Sequence, residues 1–183
     1  MTYARIGLLI AATLGNLWLA RKMFGKPRCH GFYRFFIFQS IILLFVLKPG
    51  RAFCIRSVAD MASVLLLFFS IVYAISGYYL LCTSGRPRAD GRDTTFFEFE
   101  NTTSLVRTGI YRLVRHPMYG SLLFLALGTY LREITVMTTG LMAVCLVFTV
   151  LAARVEEKEN RQRFGVAYRD YCRTTKRFIP YLW

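Results

Sequence analysis

The sequence predicts an all-α integral-membrane protein, a bundle of about five transmembrane helices with a C-terminal amphipathic helix on the cytoplasmic side. Its 183 residues are 55% hydrophobic and 16% aromatic, which is too apolar for a typical soluble domain. Lysine and arginine are concentrated between long apolar segments, as they are in membrane proteins. Those segments are residues 6–20, 35–47, 61–81, 118–131 and 134–153. We therefore treat residues 1–183 as one membrane domain.

The three C-terminal segments match a bilayer to different degrees. Residues 61–81 and residues 134–153 carry no charge and are long enough to cross a hydrocarbon core of about 30 Å. Residues 118–131 are shorter, and they cross only if Leu113 and Val114 extend the helix or if the bilayer is thinner there. We predict a crossing at each of the three.

The two N-terminal segments are weaker candidates for spans. Residues 35–47 reach spanning length if Phe32 and Tyr33 act as interfacial anchors. Residues 6–20 could be mistaken for a signal peptide, but their strongest charges follow the apolar stretch and no small-residue cleavage site precedes them. We therefore predict a retained first helix.

We attribute the formal net charge of +14 to cytoplasmic loops of a membrane protein and not to a nucleic-acid partner. A nucleic-acid partner is disfavoured because no stacking platform or basic helical stripe accompanies the charge. If the N-terminus lies outside, nineteen of the twenty-four basic residues fall on the cytoplasmic side, as the positive-inside rule prefers. The loops after the first and third spans and the C-terminal tail are then cytoplasmic, close to anionic headgroups.

Cysteine and histidine usage predicts neither a disulfide framework nor a metal site. The five cysteines are scattered and lack C-x-x-C spacing, and His30 and His116 are the two histidines of the chain.

The two halves of the chain differ in chemical content. Residues 1–82 supply three spans and little distinctive chemistry, whereas residues 83–183 carry nearly all the polar motifs. Alternating Phe and Glu at residues 94–100 predicts an interfacial strand or a short amphipathic element. Beyond the fifth span, the pattern predicts a charged amphipathic helix at residues 155–164 that stops or kinks at Gly165.

A cluster of polar residues lies where the fourth span begins. The cluster consists of Pro117 and four residues near it in the sequence, Tyr111, Arg115, His116 and Tyr119. A purely structural role is possible for part of it, because proline fits the first turn of a helix and arginine snorkels at a membrane edge. The functional interpretation is that helix N–H groups and Arg115 suit a carboxylate, while the aromatic rings suit a cationic or planar group.

A second polar cluster follows the fifth span. Glu156 lies within a turn of the apolar segment, with Arg154 and Glu157 beside it. A carboxylate there can neutralise a cation, accept ribose hydroxyls or act as a base. Because a very short turn at residues 132–133 makes spans four and five an antiparallel hairpin, both clusters are predicted at the same end of the bundle.

Taken in order, these residues resemble the C-terminal signature of the isoprenylcysteine carboxyl methyltransferase and phospholipid methyltransferase superfamily. Residues 1–82 resemble that superfamily only in having spans. The pieces that carry the resemblance are residues 103–111, 115–119, 156–157 and 164–165, Tyr168, Tyr171 and residues 178–180.

The resemblance implies an integral-membrane enzyme that uses S-adenosylmethionine without a Rossmann domain, and the chain contains no G-x-G-x-x-G motif. Its catalytic candidates are Glu156, Glu157 and Arg154, with either glutamate removing the acceptor's proton. The cofactor-binding residues implied by the resemblance, together with Arg115 for the methionyl carboxylate, are Thr103, Ser104, Leu105, Val106, Tyr111, Arg115, His116, Pro117, Met118, Tyr119 and Glu156.

One position departs from the family pattern. Prenylcysteine enzymes of the family carry an arginine for the substrate carboxylate at the position that Ala152 occupies here. Arg154 comes two residues later, about 200° around a regular helix. The departure argues against carboxyl methylation and favours a lipophilic acceptor such as a phospholipid amine or a small thiol.

Three other functions remain compatible with the sequence. The first is prenylcysteine carboxyl methylation, with Arg154 swung into the site by a kink near Ala153. The second is a sterol-type membrane reductase using NADPH, which the shortness of the chain disfavours. The third is a non-enzymatic membrane protein of the same fold.

Overall fold

The computed structural model describes residues 3–21, 24, 30–47, 55, 57–85 and 102–182. The described residues form α-helices and one short 3-10 helix, Gly109–Arg112, and contain no strand longer than an isolated bridge, which confirms the predicted all-α class. The element predicted at residues 94–100 lies outside the described residues. The α-helices are α1 (Tyr3–Ala20), α2 (His30–Val46), α3 (Val58–Ser84), α4 (Pro117–Tyr130), α5 (Val136–Phe164) and α6 (Val166–Thr174).

Helices α1, α3 and α5 are long and apolar enough to cross a membrane. Helix α4 has 14 residues, which is about 21 Å of helix and less than a typical hydrocarbon core. Leu113 and Val114 do not extend it, contrary to one sequence expectation, because Val114 instead forms a bridge with Lys176. The described residues thus contain three helices of spanning length, and five crossings stays a prediction.

Helix α5 continues without a break from its apolar part into its charged part. It begins at a capping box of Thr135 and Thr138 and ends before Gly165, whose φ of 57° favours glycine. The charged amphipathic helix predicted at residues 155–164 is the last part of α5, since no Gly or Pro interrupts the backbone hydrogen bonds there. The turn at Gly165 leads into α6.

Small residues bring α3 and α4 close together. A Cβ added at Gly128 would lie 3.0 Å from the carbonyl oxygen of Ser63, so the two backbones nearly touch. The Ser63 hydroxyl donates to the Gly128 carbonyl at 2.6 Å, and the Ser70 hydroxyl donates to the Ser121 carbonyl at 2.8 Å. Small residues that allow such approach are typical of helix packing in membranes.

Helix α2 packs on α5, and α1 packs on α2. The α2–α5 contact is a buried apolar cluster that includes Ile37, Leu44 and Ala152. Between α1 and α2, the Asn16 amide donates to the Phe35 carbonyl at 3.1 Å, and such interhelical polar bonds are expected inside a bilayer. The starts of α2 and α4 and the ends of α3 and α5 meet at one end of the bundle, where they line a cleft.

Candidate active site

A cleft opens at the end of the bundle where the two polar clusters meet. Residues from α2, α3, α4, α5, α6 and the segment before α4 contribute to it. Its lining is Arg34, Leu81, Thr102, Leu105, Val106, Tyr111, Arg115, His116, Pro117, Met118, Tyr119, Glu156, Asn160, Phe164, Tyr168 and Tyr171.

The turn before α4 is held in place by the C-terminal segment. The backbone N–H of Arg115 donates to the Lys176 carbonyl at 2.8 Å, and that of His116 donates to the Arg177 carbonyl at 3.0 Å. Pro117 then begins α4 without needing an N–H partner. The returning chain therefore fixes where the His116 and Tyr119 side chains stand.

Glu157 lies beneath the cleft in a buried ion-pair cluster. Its side chain is 3% exposed, and its Oε1 accepts hydrogen bonds from Arg115 Nε at 3.0 Å and Arg177 Nε at 3.1 Å. Its Oε2 accepts from the Arg177 Nη2 at 3.0 Å and lies 3.7 Å from Arg161 Nη2. With both oxygens engaged by guanidinium groups, Glu157 ties α5 to the turn before α4 and to the C-terminal segment.

His116 stands between the two glutamates. Its Nδ1 lies 3.5 Å from Glu156 Oε1 and its Nε2 lies 3.5 Å from Glu157 Oε1. Burial by itself favours the neutral ring, but attraction to the two carboxylates outweighs it and raises the pKa of His116 above 6.5. The ring thus lies between the cleft wall and the ion-pair cluster beneath it.

Glu156 is the carboxylate that faces the cleft. Its side chain is 26% exposed, against 3% for Glu157, although the two residues are adjacent. Asn160, one turn later on α5, lines the same cleft. Together they place hydrogen-bonding groups where a ligand with hydroxyls or a positive charge can reach them.

Arg34 forms the α2 side of the cleft. Its Nε donates to the Tyr119 hydroxyl at 3.1 Å, and its guanidinium carbon lies 5.1 Å from the centre of the Tyr119 ring. The side chain is buried although it belongs to an apolar helix. One turn before it, His30 Nδ1 lies 2.7 Å from Glu159 Oε2 and ties the start of α2 to α5.

Tyrosines form the aromatic side of the cleft. The Tyr171 hydroxyl donates to the Tyr111 carbonyl at 2.6 Å, and the Tyr168 ring lies edge-on to that of Tyr171, with centres 5.9 Å apart. Burial raises the pKa of both Tyr168 and Tyr171, so they are neutral phenols. They offer a polarisable surface for a planar ring or a cation.

All but two of the residues that the sequence analysis proposed for cofactor binding line the cleft. The exceptions, Thr103 and Ser104, lie at the end of α3, where both backbone N–H groups donate to the Gly85 carbonyl. Of the catalytic candidates, Glu156 lines the cleft and Glu157 lies beneath it. Arg154 is exposed on α5 and is not among the lining residues.

Sequence reasoning missed Arg34 and Asn160. Asn160 was detectable, because a helix places it one turn from Glu156 on the same face. Arg34 had a weaker signal, a lone basic residue between Tyr33 and Phe35 in an apolar segment. Such a residue predicts a function but does not name its partners, which here come from α4.

Fold and cleft together define a helical membrane protein with an ionisable site at one end of its bundle. Residues 58–167, more than half of the chain, match the model of the family described as phospholipid methyltransferase. The chain belongs to this family, which confirms the resemblance drawn from its C-terminal half.

Curated plant proteins are similar to part of the chain. Protein-S-isoprenylcysteine O-methyltransferase A of Arabidopsis thaliana is 33% identical over 86 residues, 46% of this chain and 43% of that protein. A probable protein-S-isoprenylcysteine O-methyltransferase of Oryza sativa subsp. indica is 30% identical over 86 residues, 46% of this chain and 44% of that protein. The chain thus spans less than half the length of these relatives.

Proposed function

We propose that this protein transfers a methyl group from S-adenosylmethionine to a lipophilic acceptor at the cytoplasmic membrane interface. The observation that carries the proposal is the cleft formed by Glu156, His116 and the tyrosines, within a chain whose family is named for methyl transfer. The cleft meets the ends of apolar helices, so an acceptor dissolved in the bilayer has a short path to it.

The chemistry of the lining fits S-adenosylmethionine. Glu156 and Asn160 suit the ribose hydroxyls or the sulfonium charge, and the tyrosines suit adenine. The first N–H groups of α4 suit the methionyl carboxylate, and Arg115 adds positive charge beside them while its Nε and Nη1 stay bonded to Glu157 and to the carbonyls of Cys172 and Thr175. When bound, the cofactor supplies an electrophilic methyl group.

The protein's own contribution is positioning and proton removal. Glu157, with Arg115 and Arg177, fixes the turn that carries His116, and catalysis by placement needs such rigidity. Because the oxygens of Glu157 are engaged by guanidinium groups, we assign the removal of an acceptor proton to Glu156.

The proposed acceptor is a phospholipid amine or a small thiol. Ala152 is fully buried, and Arg154 lies on the exposed side of α5 because the helix is regular between them. Neither residue can hold a substrate carboxylate from α5. A prenylcysteine carboxylate is a second candidate, favoured by the names of the plant relatives and by Arg34 in the cleft wall.

Ligand-induced stabilisation of the purified protein tests the cofactor. We expect S-adenosylhomocysteine, and not NADPH, to raise the melting temperature, since a ligand that binds only the folded state stabilises it. Stabilisation by NADPH would support a reductase, and stabilisation by neither would favour a non-enzymatic role. Mass spectrometry of lipids and thiols from expressing cells would then identify the methylated product.

Cysteine labelling tests the proposed orientation. Thr174 ends α6 beside the cleft, and Val136 begins α5 at the other end; both are exposed. In a cysteine-free background, a cysteine at Val136 should react with an impermeant reagent from outside the cell. A cysteine at Thr174 should react only after permeabilisation, and the reverse pattern would reject a cytoplasmic cleft.

A further inference from the structure

A basic groove lies beside the cleft, and Tyr171 lines both of them. The groove has a volume of about 500 Å³, which is large enough for a lipid headgroup. One side comes from the segment before α4 and the other from the end of α6 and the two residues that follow its last turn. The lining residues are Arg107, Arg112, Asp170, Tyr171, Thr174 and Thr175.

The two arginines of the groove have donors available to a ligand. Arg107 Nη2 donates to the Ala167 carbonyl, and the guanidinium carbon lies 5.9 Å from the centre of the Tyr171 ring. These contacts hold Arg107 at the groove, while its Nε and Nη1 donate to no residue in the described part of the chain. Arg112 is exposed, and its side chain forms no ion pair or hydrogen bond with a residue that the structure describes. Guanidinium groups with such donors match the oxygens of a phosphate group.

The groove lies at the level where α3 leaves the hydrocarbon of the bilayer. Tyr78 and Tyr79, near the end of α3, are both exposed, as expected for aromatic residues at a membrane interface. A Cβ added at Gly109 would lie 2.6 Å from Leu80 Cδ1, so the 3-10 helix that ends at Arg112 packs against the same turn of α3. The arginines of the groove are therefore at the depth of phospholipid headgroups.

We propose that the groove binds the phosphodiester of an anionic phospholipid from the leaflet at the cleft end of the bundle, through Arg107 and Arg112. Basic residues close to a membrane surface gain affinity for anionic headgroups with each added charge. The acyl chains stay in the bilayer beside α3 and Leu113, which is exposed. This site is separate from the cleft, and it does not depend on the proposed methyl transfer.

The first test measures the affinity of the full-length chain, purified in an uncharged detergent, for three probes. They are phosphatidylglycerol, diacylglycerol with the same acyl chains, and inorganic phosphate. We expect phosphatidylglycerol to bind at least about tenfold more tightly than either of the others, because only phosphatidylglycerol combines a phosphodiester with acyl chains. Equal affinity for diacylglycerol would reject recognition of the headgroup. Inorganic phosphate that binds as tightly as phosphatidylglycerol would assign the groove to a soluble phosphate and reject the lipid.

The second test compares Arg112→Gln with Arg169→Gln. Both variants lose one exposed positive charge at the same end of the molecule, but Arg169 does not line the groove. Arg112→Gln should weaken phosphatidylglycerol binding by about fivefold or more, and Arg169→Gln by less than about twofold. Because Arg112 has no side-chain partner among the described residues, Arg112→Gln should melt at the wild-type temperature when no lipid is added. Equal losses of affinity would indicate general attraction to positive charge and would overturn the site.

Asp170→Asn tests the groove from its acidic side. Asp170 Oδ1 lies 3.7 Å from Arg173 Nη1, and its negative charge opposes an anionic headgroup in the groove. Removing that charge should strengthen phosphatidylglycerol binding by about twofold or more, which a loss of folded protein cannot do. Unchanged or weaker binding would place the headgroup outside the groove.

Discussion

Two carboxylates that are adjacent in the sequence have different surroundings. Glu156 belongs to the wall of the cleft, and Glu157 belongs to the buried ion-pair cluster beneath the cleft. Glu157 accepts hydrogen bonds from Arg115 and Arg177 and is shielded from solvent. Glu156 faces the cleft, and its Oε1 lies 3.5 Å from His116 Nδ1. One step along a helix, about 100°, separates a residue that stabilises the fold from one that can meet a ligand.

The largest expected effect is on stability, from Glu157→Ala. Removing one member of a buried ion-pair cluster leaves its guanidinium partners without a counter-charge, at a cost of roughly 3–5 kcal/mol. We expect a lower melting temperature and a lower folded yield. The matched control is Lys158→Ala, which alters an exposed neighbour. Equal melting temperatures for the two variants would contradict the anchoring role of Glu157.

Glu156→Gln should separate binding from folding. We expect the affinity for S-adenosylhomocysteine to fall by about tenfold to a hundredfold, as expected for losing hydrogen bonds to a charged group. The melting temperature without ligand should fall less than in Glu157→Ala, because the Glu156 side chain is partly exposed and loses only its contact with His116. A Glu156→Gln protein with normal affinity for S-adenosylhomocysteine but a much lower melting temperature would reverse the roles assigned to the two glutamates.

His116→Ala tests whether His116 couples the wall of the cleft to the ion-pair cluster around Glu157. The ring is buried between the two carboxylates, so its removal should weaken S-adenosylmethionine binding well beyond any loss of folded yield. Isothermal titration of the folded fraction measures this directly. Unchanged affinity would remove His116 from the site and leave it a packing residue against Tyr119 and Phe178.

The raised pKa of His116 predicts a pH dependence of stability. A pKa above 6.5 in the folded state means that the stabilisation is fully present below pH 6.5 and is lost as pH rises through the folded-state pKa. The groups facing the ring are Glu156 and Glu157, with Arg115 and Arg177 on the far side of Glu157. Melting temperature should therefore fall more between pH 6 and pH 9 in the wild type than in His116→Gln, as buffered thermal scans would show.

The smallest effect is expected from Arg154→Ala. Arg154 is exposed and does not line the cleft, so turnover and S-adenosylhomocysteine affinity should change by less than about twofold. A collapse of turnover with N-acetyl-S-farnesylcysteine would show that Arg154 reaches a substrate carboxylate. The acceptor preference argued from Ala152 would then be wrong.

The ends of the helices show which structural features the local sequence predicts. Pro117 and Gly165 mark the start of α4 and the end of α5, because one lacks an N–H and the other adopts a positive φ. Extension of α4 by Leu113 and Val114, one of the two ways in which the sequence allowed this segment to cross the bilayer, does not occur, although their apolar character suits a longer α4. Their actual conformation depends on hydrogen bonds to Lys176, more than sixty residues away.

By itself the sequence determined the class of the protein, its helices and the two polar clusters, because apolar length and periodicity are local properties of the chain. It also indicated most residues of the cleft lining. Tertiary structure alone decided that Glu157 lies beneath the cleft with two arginines, and that Arg34 enters it from α2. Those placements depend on which helix faces are packed together, and nothing in the spacing of residues along one helix specifies its neighbour.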